Sequence, residues 1–279
     1  MSILHASHYR LSLDRPLIVG IVNTTPDSFS DGGAFPTADA AIAHGLQLRA
    51  AGAAILDVGG ESTRPGAAPV DEQEEMRRVI PVIEALAAQA CVVSVDTRKP
   101  QVMRAALAAG AAMVNDVMAL QAPGALEAVA ASDAAVCLMH MQQDPLTMQV
   151  SPTYGNVLQD VSDFLLARVR VCEAAGIARA RLVIDPGFGF GKTLAHNLAL
   201  LRGLDQLVAF GLPVMAGLSR KSMLGTLSGR EVDQREFAGV AAHLAAIHRG
   251  AALVRVHDVA AMRDALAIWN AVEGEHNGT

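Results

Sequence analysis

The stretch Arg181-Leu-Val-Ile-Asp-Pro-Gly-Phe-Gly-Phe-Gly-Lys192 decides how this chain is read. Its apolar run, Leu182, Val183 and Ile184, is too short for a helix and rich in β-branched residues, which marks a buried strand. The strand ends on a carboxylate, Asp185, and a loop of alternating glycines follows, where backbone can come close to a ligand. Neither common phosphate-binding motif fits. A P-loop, G-x-x-x-x-G-K, requires one more residue between Gly187 and Gly191, and G-x-G-x-x-G fails because Leu194 stands where its last glycine belongs.

Apolar runs ending in polar residues recur along the chain. Residues 17–22 lead to Asn23, and residues 54–58 carry Asp57 with Glu61 beyond it. Residues 91–95 end at Asp96, 112–114 at Asn115, 134–139 at His140, 213–218 at Ser219 and 252–256 at His257. Helical segments alternate with them. Thr37 is placed to cap an Ala-rich helix ending at Gly52, and Asp71 with Glu74 forms a start resembling a capping box. Pro100 suits the first turn of a third helix, and residues 125–131 and 156–175 supply two more. A sixth helix over 196–210 is broken near Gly203; Asp233 with Glu236 opens a seventh and Asp258 caps the last. Eight strands alternating with eight helices predict an α/β fold, a single (β/α)8 TIM barrel over about residues 17–272. Residues 4–13 read as a short N-terminal hairpin covering one end, and 273–279 as a frayed tail. A doubly wound open sheet competes, but it would need an ordinary nucleotide loop, and none is found. With no linker and no low-complexity block, residues 1–279 read as one domain.

Composition narrows the function. A net charge of −6 without basic runs argues against nucleic acid as the main partner, and no apolar stretch approaches the length of a membrane span. Cys91, Cys137 and Cys172 are few, odd in number and far apart, which suits a reducing cytoplasm and gives no metal spacing. The chain has three lysines, at 99, 192 and 221, among 22 basic residues. A GC-rich genome accounts for that scarcity, yet each lysine falls just after a predicted strand, where a compact point charge has uses that arginine meets poorly.

In such a barrel the active site lies at the C-terminal ends of the strands. Arg255 and His257 share a strand face, and barrel closure brings them beside Asn23, a group suited to an anion unless Arg255 is spent on a buried carboxylate. Asp96, Asn115 and Asp185 present two carboxylates and an amide, a set suited to a flat heterocycle with several N–H donors. Lys221 can reach such a ring from the opposite side, and Ser222, at a helix start, can hold a carboxylate with nearby backbone N–H groups. The loops holding Asp27, Phe29 and Asp31, and Ser62, Thr63 and Arg64, are long enough to act as lids. Any metal is expected to be Mg²⁺ carried on phosphate oxygens, assisted by Asn23 and a loop aspartate. His243 and His248 read as ordinary helix residues, and His140 is ambiguous.

The segment Asn23-Thr-Thr-Pro-Asp-Ser-Phe-Ser-Asp-Gly-Gly33 resembles the first signature of the dihydropteroate synthases, and Gly59-Gly-Glu-Ser-Thr-Arg-Pro-Gly66 the second. Asp96-Thr, Asn115-Asp116, Cys137-Leu-Met-His-Met141, the opening stretch, Ser219-Arg-Lys-Ser222 and Arg255-Val-His257 match the same family in order and spacing. The resemblance runs from about Leu17 to Trp269. It implies condensation of a dihydropterin methyl diphosphate with 4-aminobenzoate, with release of diphosphate, in folate synthesis. It implies that Asp96, Asn115, Met139, Asp185, Phe190, Gly217 and Lys221 hold the pterin, and that Asn23, Arg255 and His257 hold the diphosphate. Phe29, Thr63, Arg64, Pro65, Ser219, Lys221 and Ser222 would surround the aminobenzoate, where sulfonamides compete. Asn23 and Asp31 would support Mg²⁺. Asp96, Asp185, Lys221, Arg255 and His257 would carry the chemistry, which in this family passes through a dihydropterin carbocation and needs no protein nucleophile. A homodimer through the later helices is also implied. The rivals are a catalytically silent pterin-binding paralogue, expected to have lost loop residues such as Asp31 or Arg64, and a pterin-dependent methyltransferase of the methyltetrahydrofolate:corrinoid type, which would not need Thr63-Arg64-Pro65 or Ser219-Arg-Lys-Ser222.

Overall fold

The computed structural model describes residues 2–24, 37–62, 69–143 and 147–273. Strands β1 (Ile3–Ala6) and β2 (Tyr9–Ser12) form the antiparallel hairpin. Eight parallel strands follow: β3 (Leu17–Asn23), β4 (Ile55–Gly59), β5 (Val93–Asp96), β6 (Met113–Asp116), β7 (Ala135–Met139), β8 (Leu182–Asp185), β9 (Met215–Ala216) and β10 (Leu253–Val256). Each pairs with its neighbours in the order β8-β7-β6-β5-β4-β3-β10-β9. A parallel bridge between Ile184 and Val214 joins the two ends and closes the barrel.

Helices cover the outside: α1 (Thr37–Ala51), α2 (Glu72–Ala88), α3 (Pro100–Ala108), α4 (Ala125–Ala130), α5 (Val157–Ala174), α6 (Leu194–Arg202), α7 (Leu204–Val208), α8 (Ser222–Ser228), α9 (Glu236–Ile247) and α10 (Val259–Glu273). The Asp71 carboxylate accepts the Glu74 N–H at 2.8 Å, as the sequence predicts. The break at Gly203 also falls where expected, and it has a packing reason. A Cβ there would lie 2.5 Å from a Leu158 methyl, so α5 presses directly on the backbone between α6 and α7.

Two expectations need correction. The seventh barrel strand, predicted over 213–218, is reduced to Met215–Ala216. Pro213 has no N–H to give to a ladder, and the Leu218 N–H leaves the sheet to bond His243 Nε2 at 3.2 Å. His243 is 1% exposed and its Nδ1 meets the Gly239 carbonyl at 2.8 Å, so it is a buried neutral imidazole whose pKa burial lowers to about 4. In addition, the helix expected to start at Ser222 is a short separate element, α8, and Asp233 does not open the helix after it: Asp233 lies in a single turn over Val232–Gln234, and Arg235 precedes α9 without a side-chain cap.

Side chains alternate along the strands, and this alternation builds the site. Outward residues such as Val58, Val95, Leu138 and Ile184 pack against the helices. Inward residues Val19, Ile55, Met113, Cys137, Val183, Met215 and Leu253 meet Leu4 and Ala6 of the hairpin in an apolar layer filling the N-terminal end. Two residues further along the same inward rows stand Asp57, Asn115, Met139, Asp185, Gly217 and Arg255. The polar layer therefore sits one inward step above the apolar one.

Candidate active site

Arg255 organises the polar layer. Its Nε donates to Asp57 Oδ2 at 2.6 Å, and a terminal nitrogen donates to Asp96 Oδ2 at 2.7 Å. The Asn115 amide donates to the same Asp57 oxygen at 3.0 Å. Burial disfavours the guanidinium charge, but the carboxylates of Asp57 and Asp96 more than offset that and hold it protonated. Burial also raises the Asp96 pKa, against the pull of Arg255. Of the two readings open for Arg255, free anion binder or partner of buried carboxylates, the structure shows the second. An anion arriving here would share or displace those bonds.

Asp57, a polar residue of its apolar run to which the sequence assigns no role, belongs to this centre. The available signal was a lone acid inside the apolar strand Ile55–Gly59, matched by a lone cation inside the equally apolar Leu253–Val256. Two unlike charges on inward rows of one barrel must meet or remain unpaired. The second Asp57 oxygen, Oδ1, is buried and makes no hydrogen bond among the described residues, so a ligand donor would find it unsatisfied.

Across the barrel, Asp185 Oδ1 accepts the Gly187 N–H at 2.6 Å. Burial raises the Asp185 pKa to about 6, against that hydrogen bond and the charges of Lys221, Arg255 and Lys192. The Lys221 ammonium lies 3.9 Å from the centre of the Phe190 ring. Burial lowers its pKa to about 8, reinforced by Arg255 and opposed by Asp185 and Asp96. Met139 closes β7 opposite Asp185 in register. Gly217 leaves room, since a Cβ there would stand 3.8 Å from Asp185 Oδ2 and 3.9 Å from Arg255 Cβ. An aromatic face, a cation and several buried carboxylates thus converge on one mouth, as a flat, donor-rich ring requires.

The expected partners of the second substrate are only partly in view. Ser219 Oγ meets His257 Nδ1 at 3.0 Å, and Ser222 opens α8 with its side chain exposed. Asn23 ends β3, half-buried, in register with Gly59. Phe29, Asp31, Thr63, Arg64 and Pro65, like Asp27, lie outside the described residues. The described flanks of residues 63–68 are nevertheless tied together. Glu61 accepts the Val70 N–H at 3.1 Å, pairs with Arg98 at 3.0 Å, and shares Lys99 with the buried Glu75.

The three lysines therefore have three different employments. Lys99 holds two glutamates beside the second loop, Lys221 faces the site, and Lys192 is buried behind it.

The family model described as pterin binding enzyme matches residues 19–257. The chain is 49% identical over 269 residues to dihydropteroate synthase of Haemophilus influenzae, covering 96% of this chain and 98% of that one. Among solved structures, Xanthomonas albilineans dihydropteroate synthase with 4-aminobenzoic acid superposes with a TM-score of 0.93 at 57% identity, covering 97% and 98% of the two chains. The same enzyme in complex with 7,8-dihydropteroate gives 0.90 at 55% identity over 97% and 98%. With the barrel, its polar layer and near-complete coverage in agreement, this chain belongs to the dihydropteroate synthase family of pterin-binding enzymes.

Proposed function

We propose that the chain condenses (7,8-dihydropterin-6-yl)methyl diphosphate with 4-aminobenzoate, giving 7,8-dihydropteroate and diphosphate for folate synthesis. The observation that carries this reading is the convergence of Asp185, Lys221 and Phe190 on one side of the mouth with the Asp57–Arg255–Asp96–Asn115 network on the other. The dihydropterin lies on Phe190, its N–H groups directed to Asp96, Asn115 and Asp185 and its carbonyl to Lys221, with Met139 and Gly217 shaping the slot. Arg255, His257 and Asn23 take the diphosphate. As the methylene C–O bond breaks, the electron pair leaves with diphosphate and positive charge develops on the pterin. Asp185 and Asp96 stabilise that charge electrostatically, and Arg255 offsets the charge on the leaving group. The aryl amine then attacks the methylene carbon and loses a proton. No protein nucleophile takes part.

The aminobenzoate is held by Ser219, Lys221 and Ser222 together with Phe29, Thr63, Arg64 and Pro65, and sulfonamides compete there. The Asn23 amide oxygen is a hard donor of the kind Mg²⁺ accepts, and Asp31 is its expected partner. Bound Mg²⁺ supplies charge that favours departure of diphosphate. A homodimer is supported by apolar residues left exposed on neighbouring late elements, Leu227, Val232, Phe237 (82% exposed), Ile268 and Val272. Three free, buried cysteines suit a cytoplasmic enzyme, and no helix among the described residues is long and apolar enough to cross a membrane.

The test is diphosphate release from the dihydropterin substrate, with and without 4-aminobenzoate and Mg²⁺, alongside detection of dihydropteroate. Product that needs all three supports the proposal, and tight pterin binding without release points to a silent paralogue. Sedimentation equilibrium decides the dimer, since a monomer at micromolar concentration removes that part.

A further inference from the structure

Lys192 closes the glycine loop after β8, and its side chain is buried against the end of β7. It is 3% exposed. Its ammonium lies 3.0 Å from His140 Nδ1 and donates to the His140 carbonyl at 3.3 Å and the Phe190 carbonyl at 2.9 Å. Each of these acceptors is neutral. A buried ammonium hydrogen-bonded to neutral groups is costly to hold charged, and burial lowers the Lys192 pKa to about 7, opposed by the charge of Asp185 and reinforced by that of Lys221. Burial, with Lys192 itself, lowers that of His140 to about 3, so the imidazole stays a neutral acceptor at Nδ1.

The acceptors come from two neighbouring strand ends, His140 after β7 and Phe190 after β8. The loop is already forced against the 140–142 segment. A Cβ on Gly187 would lie 1.9 Å from the His140 carbonyl oxygen, and one on Gly191 2.8 Å from the Gln142 carbonyl oxygen, with both glycines at positive φ. The Phe190 N–H donates to the Gly187 carbonyl at 3.1 Å and Tyr154 donates to the Gly191 carbonyl at 2.8 Å, which leaves the Phe190 carbonyl itself to be held from within the core. Lys192 holds it, and the ring on that residue is the one over which Lys221 sits.

We propose that Lys192 is a positioning residue for the pterin half of the site: latched between His140 and the Phe190 carbonyl, it fixes the backbone that carries the Phe190 ring. This rests on the reading of that pocket as the pterin pocket. Removing the latch should weaken the grip on the pterin far more than that on the aminobenzoate, which shares Lys221 but draws its other contacts, Ser219 and Ser222 among them, from other loops. Losing charge-assisted hydrogen bonds to the loop should cost about tenfold in affinity.

The experiment measures KM for both substrates, and the dissociation constant of (7,8-dihydropterin-6-yl)methyl diphosphate, in wild type, Lys192→Met and His140→Leu. His140→Leu removes the ring acceptor without touching the lysine and serves if Lys192→Met does not fold. The expected result is a rise of about tenfold in the pterin constants for Lys192→Met and about threefold for His140→Leu, with KM for 4-aminobenzoate within about twofold. The double variant should be no worse than Lys192→Met alone, because both break one latch. Folded variants with unchanged pterin constants, or with both KM values raised alike, overturn the positioning role while leaving the pterin pocket standing. Failure of the wild type to bind the dihydropterin diphosphate overturns both.

Discussion

At one end of this barrel, Leu4 and Ala6 of the hairpin are wholly buried on Val19, Ile55, Met113, Val183 and Leu253. At the other, two residues along the same inward rows, Asp57, Asn115, Asp185 and Arg255 are packed together with buried charge. The first layer gains free energy from every methyl removed from water, whereas the second must desolvate carboxylates and a guanidinium and recovers only part of that cost through pairing. The lower end is thus expected to hold the fold and the upper end to draw on it. Asp57 Oδ1, buried without a hydrogen bond among the described residues, and Asp185, whose pKa burial raises to about 6, are the marks of that strain.

The contrast breaks first at Asp185. Replacing it with Asn keeps the shape and an acceptor for the Gly187 N–H but removes the charge beside the reacting pterin. Turnover at saturation should fall by about 10²–10³. A variant that bound pterin weakly yet turned over normally would reduce Asp185 to a recognition group. The matching change at the lower end is Leu4→Ala, which should lower the unfolding free energy by about 3 kcal/mol, read from urea midpoints, and leave kcat within about twofold. Equal losses of activity and stability in both variants would dissolve the distinction between the ends.

Much of this contrast is visible in the chain before it folds. Strand ends at Asn23, Asp96, Asn115, Asp185 and His257 stand out because an apolar run stops at a polar residue, and the barrel follows from their spacing. What is hidden depends on partners distant in sequence. Asp57 lies inside its strand, and only closure of the ring brings Arg255, 198 residues away, to its side. Strand seven looks longer in sequence than it is because nothing local signals that His243 takes the Leu218 N–H. Lys192 reads as a charge near the mouth, and only the close approach of its loop to His140 turns it inward.

A pH series sharpens the same comparison. The folded-state pKa of Asp185, about 6, lies above the ordinary aspartate value, so the folded chain holds this proton more tightly than the unfolded one. Its contribution to stability is then fully present below about pH 4 and is lost as the pH rises through about 6. Asp185→Asn should consequently be more stable than wild type at pH 7 by about 1–3 kcal/mol, part of the gain being returned through Lys221, whose ammonium Asp185 supports. The two unfolding curves should converge below about pH 4. A parallel offset at every pH would contradict the sign.

The smallest effect is expected at Gly217, which lies in the upper layer but carries none of its charge. A methyl there makes ordinary contact with Asp185 and Arg255, at 3.8 and 3.9 Å, and this glycine does not adopt a positive φ. Gly217→Ala should therefore change the unfolding free energy by less than about 0.5 kcal/mol. The same methyl occupies space above the apolar layer where the pterin is proposed to lie, so KM for the dihydropterin diphosphate should rise by about three- to tenfold with kcat nearly unchanged. Steric loss without electrostatic loss is what separates this position from Asp185. If Gly217→Ala lowered kcat as strongly as Asp185→Asn does, the upper layer would be acting through its packing, and the division of labour between the two ends would have to be redrawn.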